Sequence, residues 1–237
     1  MTVASDRPEP RASRRARGPW GERAGRADVV ITLLIGLYVA YSFVTWPLTP
    51  ALIGTHPLLL EIIGSSTLAE VTVGAQSRLG ELPLWAAIAL AVPSTMMFDW
   101  VFWWAGRRWG DHALHVMLGR DTSPRGRARR EARIARLERW AGRFGPAAVV
   151  LAYYLPVPSL LIYVAAGLSE MRLRTFLVLD LLGTLLWVAP IVVLGYAIGQ
   201  PAVDVVGRIG HYSTLLTIAV VAVVIGIQGR RRRRGTT

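Results

Sequence analysis

The 237-residue chain carries 27 cationic side chains, all of them arginine, against 15 acidic ones, for a formal net charge of +12. Yet 53% of its residues are apolar and its mean hydropathy is +0.41. Blocks of charge alternating with long uncharged runs are typical of a polytopic membrane protein and exclude a soluble enzyme or a disordered chain. The absence of cysteine excludes disulfides and thiolate metal sites, and we expect no cofactor.

The N-terminal segment is strongly basic. Residues 1–27 hold seven arginines and three prolines without apolar periodicity, which predicts a disordered cytoplasmic tail. A first transmembrane span follows over about Val29–Pro47. We therefore divide the chain into this tail, a membrane domain over 28–228 and a basic cytoplasmic tail over 229–237.

Three further apolar runs predict membrane spans, for about four in all. The second covers about Leu82–Ala105, the third about Thr175–Gly199 and the fourth about His211–Gln228. The second contains Asp99. The third contains Asp180, which we place near water at the cytoplasmic end of the span and interpret as structural.

A basic loop over 107–143 connects the second span to the rest of the domain and holds eleven arginines. Within it, Ser123 and Pro124 are a typical helix start. Apolar residues then recur at helical spacing along a cationic helix over 124–143 (Ile134, Leu137, Trp140, Phe144). This pattern predicts one amphipathic helix bound to anionic lipid headgroups, and its membrane-flanked position argues against nucleic acid as a partner.

The distribution of arginine predicts the topology, because basic loops stay cytoplasmic. If both termini and 107–143 are cytoplasmic, the chain must cross the membrane an even number of times between 107–143 and the C-terminus. The last two spans already supply these crossings. Residues 145–169 must then enter the membrane and return, with Pro156 and Pro158 near the tip. The same parity makes 51–78 re-entrant from the opposite face. Surface helices or kinked spans are the alternatives for both segments.

The sequence thus predicts an all-α polytopic protein of a bacterial-type cell membrane, with two oppositely oriented re-entrant helical hairpins. Paired broken segments indicate the central site of a transporter. Carboxyl groups inside a membrane are costly, so Glu61, Glu70 and Asp99 are candidates for transport or proton coupling. The alternative is that they lock the hairpins by internal pairing, with Arg107 as a partner for Asp99.

The motifs resemble those of the DedA family, also called the SNARE-associated or VTT-domain group. The resemblance covers roughly residues 50–200 and rests on four groups of residues (Glu61 with Glu70; Asp99 followed by Trp103-Trp104-Ala105-Gly106-Arg107-Arg108; Phe144-Gly145-Pro146, Leu155-Pro156 and Ala166-Gly167-Leu168-Ser169-Glu170-Met171; Phe176, Gly183, Trp187 and Gly195-Tyr196 with Gly199).

The resemblance implies a proton-coupled transporter, and some members of the family carry undecaprenyl phosphate back across the membrane. Two arginines usual in the second re-entrant segment of the family are replaced here by Tyr153 and Ser159. Arginine is the side chain best suited to bind phosphate. The substrate-pocket candidates therefore offer uncharged groups (Tyr153, Tyr154, Pro156, Ser159), and the nearest cations lie at the membrane boundary (Arg107, Arg108, Arg143).

We accordingly expect a non-enzymatic transporter or flippase for an amphipathic anionic lipid, such as a lipid phosphate. Two alternatives stay open, namely a structural or accessory membrane protein that has lost transport and an energy-independent lipid scramblase. His112 and His115 are interpreted as solvated loop residues rather than metal ligands. A homo-oligomer is compatible with the sequence but not specified by it.

Overall fold

The computed structural model describes residues 25–64, 66–110 and 144–208, together with four isolated residues at 113, 128, 132 and 139. Regular structure in these ranges is helical throughout, which confirms the all-α class. The helices are α1 (Arg26–Thr55), α2 (Pro57–Gly64), α3 (Thr67–Arg78), α4 (Leu84–Met96), α5 (Asp99–Trp109), α6 (Ala147–Val150), α7 (Ser159–Leu168) and α8 (Leu173–Ile198). Residues 200–208 are also helical.

Three segments of the described chain are long and apolar enough to cross a membrane: Arg26–Thr45, Leu84–Trp109 and Leu173–Ile198. They correspond to the first three predicted spans. Helix α1 continues to Thr55, beyond the predicted end of its span. The fourth span and both loop histidines lie outside the described residues, and so does the amphipathic helix over 124–143 apart from three isolated positions.

The second of these segments is divided by a turn at Met97 and Phe98, which separates α4 from α5. The turn places Asp99 in the first turn of α5, where a carboxylate favours the exposed amide groups of a helix start. The sequence predicted Asp99 inside this span, and the structure places it there, directly after the turn and with its side chain buried.

Both segments predicted to be re-entrant are helices interrupted by a break. In the first, α2 ends at Gly64 and α3 restarts after Ser66, whose hydroxyl accepts a hydrogen bond from the Ala69 amide at 3.2 Å. In the second, turns over 151–158 separate α6 from α7. The entry of both hairpins into the membrane from opposite faces stays a prediction.

The buried side chains form two main clusters. One joins α5 and α7 to the start of α8 and includes Trp103, Tyr163 and Phe176. The other joins α3 and α4 to the later part of α8 and includes Val73 and Val188. Large apolar side chains also cover the outward faces of the long helices (Leu33, Phe43, Val178, Leu186). Such an exposed apolar surface is suited to lipid rather than water.

Candidate functional site

Helix α3 is held against α8 by a reciprocal glycine contact. A Cβ atom added at Gly74 would lie 2.1 Å from the carbonyl oxygen of Val192, and one added at Gly195 would lie 2.0 Å from that of Val71. Only hydrogen fits at either position, so the two backbones touch directly. Glycine permits this close approach because it has no side chain.

A second contact of the same design holds α7 against α5. A Cβ atom at Gly106 would lie 2.0 Å from the Val164 carbonyl oxygen, and one at Gly167 would lie 2.0 Å from that of Trp103. In both contacts the helix that follows a break packs on a helix from the other half of the chain. Each broken segment is thereby fixed to the opposite half of the domain.

The breaks of both segments meet at one cavity of about 910 Å³. Ile63, Gly64 and Ser66 line it from the first break, and Tyr153, Pro158 and Ser159 from the second. Helix α1 and the turn between α4 and α5 complete the wall. A pocket of this volume is large enough for a lipid headgroup or another small organic molecule.

The wall of the cavity is rich in hydroxyl groups and aromatic rings. More than half of the lining residues carry a hydroxyl, Asp99 contributes a carboxyl group, and none of the described lining residues is cationic. Tyr41 is one of the lining residues, and its buried hydroxyl has no hydrogen-bond partner within the described part of the chain. The cavity therefore offers neutral donors and acceptors to a polar group, but no fixed positive charge.

Sequence reasoning missed the contribution of α1 to this wall. Five hydroxyl residues of α1 line the cavity (Tyr38, Tyr41, Ser42, Thr45, Thr49). Their spacings of three and four residues place them on one helical face, so a polar stripe in an apolar span was the available signal. Ser42 and Thr45 also bond the carbonyl oxygens four residues back at 2.8 and 2.9 Å, which reduces the cost of placing them there.

The structure separates the four substrate-pocket candidates. Tyr153 and Ser159 line the cavity, whereas Tyr154 and Pro156 do not. Tyr154 is half exposed, and its hydroxyl donates to the Leu186 carbonyl oxygen at 2.9 Å. Tyr153 turns inward, stacks on Trp187 at 5.7 Å and lies 3.3 Å from the Thr184 hydroxyl.

The acidic candidates of the first broken segment are both buried. Glu61 in α2 is 0% exposed and Glu70 in α3 is 2% exposed, and neither lines the cavity. The Ser94 hydroxyl bonds the Glu61 carbonyl oxygen and thus ties α4 to α2. Their role in transport stays a prediction.

Asp180 lies in a different environment from the one predicted. The sequence placed it near water, but it is 1% exposed and interacts electrostatically with Asp99. The phenol of Tyr163 lies beside both carboxyl groups without forming a hydrogen bond of good geometry. The prediction failed because α5 and α7 cover this side of α8, a long-range contact that local periodicity does not reveal.

The boundary cations are only partly available. Arg108 donates to both carboxylate oxygens of Asp28, with its Nε 2.9 Å from Oδ1, and the Trp109 indole donates to the same Oδ1 at 3.1 Å. Arg107 does not pair with Asp99, since its guanidinium lies over the Trp103 ring at 5.8 Å. Arg143 lies outside the described residues.

These features define an all-helical, multi-pass membrane protein with a central hydroxyl-lined cavity between two interrupted helical segments. The chain belongs to the VTT domain family, the DedA group, which matches residues 63–197. This confirms the family predicted from the motifs.

Curated relatives match a shorter part of the chain. It is 35% identical over 94 residues to the "Alkaline phosphatase-like protein" of Lactococcus lactis subsp. lactis (strain IL1403), covering 40% of the chain and 42% of that protein. It is 27% identical over 104 residues to the "Undecaprenyl phosphate transporter A" of Staphylococcus aureus (strain NCTC 8325 / PS 47), covering 42% of the chain and 51% of that protein. It is 32% identical over 87 residues to the Bacillus subtilis (strain 168) protein of the same name, covering 37% of the chain and 44% of that protein. The chain thus spans about half the length of these relatives or less. No solved structure matches it.

Proposed function

We propose that this protein is a transporter or flippase that moves an amphipathic lipid through the cavity between the two broken segments. The observation that carries this proposal is the convergence of both breaks on one polar cavity within an apolar helical domain. Irregular backbone is tolerated at membrane depth only where it is covered by protein or lines a wet cavity. Membrane transporters place their substrate sites at such interrupted helices.

The cavity supports a headgroup that is recognised mainly by hydrogen bonds. Tyr41, Tyr153 and Ser159 provide hydroxyl groups, while a lipid tail can lie along the exposed apolar faces of α1 and α8. An anionic headgroup, such as a lipid phosphate, is proposed from the printed names of the relatives. Its charge is then met at the boundary, where Arg107 is exposed, rather than inside the cavity.

The proposed orientation places both termini and the basic loop in the cytoplasm, with the two broken segments re-entrant from opposite faces. The native chain lacks cysteine, so single cysteines at 125 and 234 can be labelled without removing others. Both are expected to react with a membrane-impermeant maleimide only after the cells are opened. Labelling of either one from outside intact cells contradicts this topology.

The transport test uses the purified full chain in liposomes with a fluorescent analogue of a lipid phosphate and an imposed pH gradient. Flipping that depends on the gradient supports a proton-coupled transporter with Glu61, Glu70 and Asp99 as coupling candidates. Flipping at the same rate without a gradient identifies an energy-independent scramblase. No flipping above empty liposomes favours a structural or accessory protein.

A matched pair of tyrosine variants connects the activity to the cavity. Tyr153→Phe removes the hydroxyl of a residue that lines the cavity, which lies 3.3 Å from the Thr184 hydroxyl. Tyr154→Phe removes the hydroxyl of a half-exposed residue that does not line the cavity. We expect Tyr153→Phe to slow flipping several-fold more than Tyr154→Phe does. Equal effects, or a larger effect of Tyr154→Phe, would show that lipid does not pass through this cavity.

A further inference from the structure

Asp180 is the most deeply buried part of an acidic pair behind the cavity. It is 1% exposed, and neither carboxylate oxygen has a hydrogen-bond partner in the described part of the chain. An ionised carboxylate in such a place loses its hydration without a compensating donor, which is strongly unfavourable. A protonated carboxyl group avoids most of that cost.

Asp99 lines the cavity, whereas Asp180 does not. Asp99 is 8% exposed and interacts electrostatically with Asp180. Two carboxylates that are close in a medium of low dielectric constant oppose each other's ionisation. Ionisation of both carboxyl groups at the same time is therefore unfavourable.

No counter-ion faces the pair among the described residues. The titratable groups beside it are Tyr163 from α7 and Tyr153 from the turns after α6. Helices α4 and α6 contain no titratable residue, and α3 meets α8 around Val192, about three turns from Asp180. The negative charge of the pair is thus neutralised by a bound proton rather than by a neighbouring arginine.

Aromatic rings pack before Asp180 along α8, and the residues that follow it lead toward the cavity. On α8, Phe176 lies one turn before Asp180, and its ring contacts Tyr163 at 5.5 Å and Trp103 at 6.1 Å. These three rings pack against one another beside the start of α8. One turn after Asp180, the Thr184 hydroxyl lies 3.3 Å from that of Tyr153, which itself lines the cavity.

From this arrangement we infer that Asp99 and Asp180 form a single proton-binding site, which holds one proton between the two carboxyl groups at neutral pH and exchanges it with the cavity past Tyr153. Asp180 supplies the deep position, Asp99 the position next to the cavity, and Tyr163 stands beside both. This inference rests on the proposed function, because the site would couple proton binding to the state of the substrate cavity.

The test is a pH titration of the purified full chain by infrared difference spectroscopy, following the carbonyl stretch of protonated carboxyl groups. We expect Asp99→Asn and Asp180→Asn each to shift the midpoint of the remaining carboxyl group by at least one pH unit, a tenfold weaker proton affinity, because the neighbouring negative charge is gone. The double variant should lack this titration altogether. An unchanged midpoint in both single variants would show two independent groups and overturn the inference.

Asp204→Asn is the matched control, because Asp204 is exposed and accepts a hydrogen bond from the Gln200 amide at 2.8 Å. It should leave the titration unchanged. If an asparagine variant does not fold, Tyr163→Phe replaces it and should move the same midpoint, whereas no movement argues against the site. Loss of the carboxyl signal on adding sodium chloride, but not potassium chloride, would identify a sodium site instead and overturn the inference.

Lipid flipping measured on the same preparations separates this inference from the proposed function. A coupled titration without flipping would leave the proton site intact and refute transport. Gradient-dependent flipping by a protein whose two carboxyl groups titrate independently would refute the site and leave transport intact.

Discussion

Replacement of Gly195 by alanine tests whether direct backbone contact holds the two halves of the domain together. The added Cβ atom would lie 2.0 Å from the Val71 carbonyl oxygen, at least 1 Å closer than real Cβ contacts allow. Neither atom belongs to a flexible side chain, so α3 and α8 must move apart. Overpacking of this kind costs about 1–3 kcal/mol. We therefore expect Gly195→Ala to lower the free energy of unfolding by about that amount.

The assay is reversible unfolding in mixed detergent micelles of increasing denaturing detergent content, followed by tryptophan fluorescence. Gly36→Ala is the matched control, because Gly36 lies within the apolar helix α1 and nothing would contact its added Cβ atom within 4 Å. That change should leave stability unchanged or raise it by up to about 1 kcal/mol, since alanine favours a helix over glycine.

A double variant sharpens the same prediction. Gly74→Ala strains the same contact from the other helix, with its Cβ atom 2.1 Å from the Val192 carbonyl oxygen. Once one substitution has separated the helices, the second should cost less, so the two effects should not add. If Gly195→Ala is as stable as Gly36→Ala, or if the two costs add fully, the close reciprocal contact is not what holds α3 to α8.

Three further outcomes follow from the remaining contacts. Asp28→Asn should lower the free energy of unfolding by about 1.5–3 kcal/mol, since a charge-assisted bond to the Arg108 guanidinium is lost, and equal stability in the same detergent assay would refute this. Glu61→Gln and Glu70→Gln should impair flipping far more than folding, as compared by activity per unit of folded protein; parallel losses would favour a structural role. The unmodified protein should not replace an undecaprenyl-phosphate carrier in a bacterial strain lacking its own, and robust complementation would contradict the need for arginine in the cavity. The double variant Tyr153→Arg with Ser159→Arg adds two cations to the cavity wall and should tighten binding of a lipid phosphate by roughly two to four decades.

The class of protein and most of its long helices can be predicted from local patterns in the sequence. Uncharged apolar runs can be recognised locally, because a span must satisfy its backbone hydrogen bonds within one helix. For the same reason the ends of the first three predicted spans lie within about four residues of those of the long apolar helical segments. The family motifs also led to Tyr153 and Ser159, both of which line the cavity.

Which side chains meet depends on packing between segments that are distant in the sequence. Tyr153 and Tyr154 are adjacent in a series of turns, where no regular period indicates which one faces inward. Asp180 lies near the start of a span and was expected to contact water, yet helices distant in sequence bury it beside Asp99. The glycine at 195 contacts a carbonyl oxygen more than a hundred residues away. Packing between distant segments, which sets burial and the effective dielectric constant, is not encoded in any local pattern of residues.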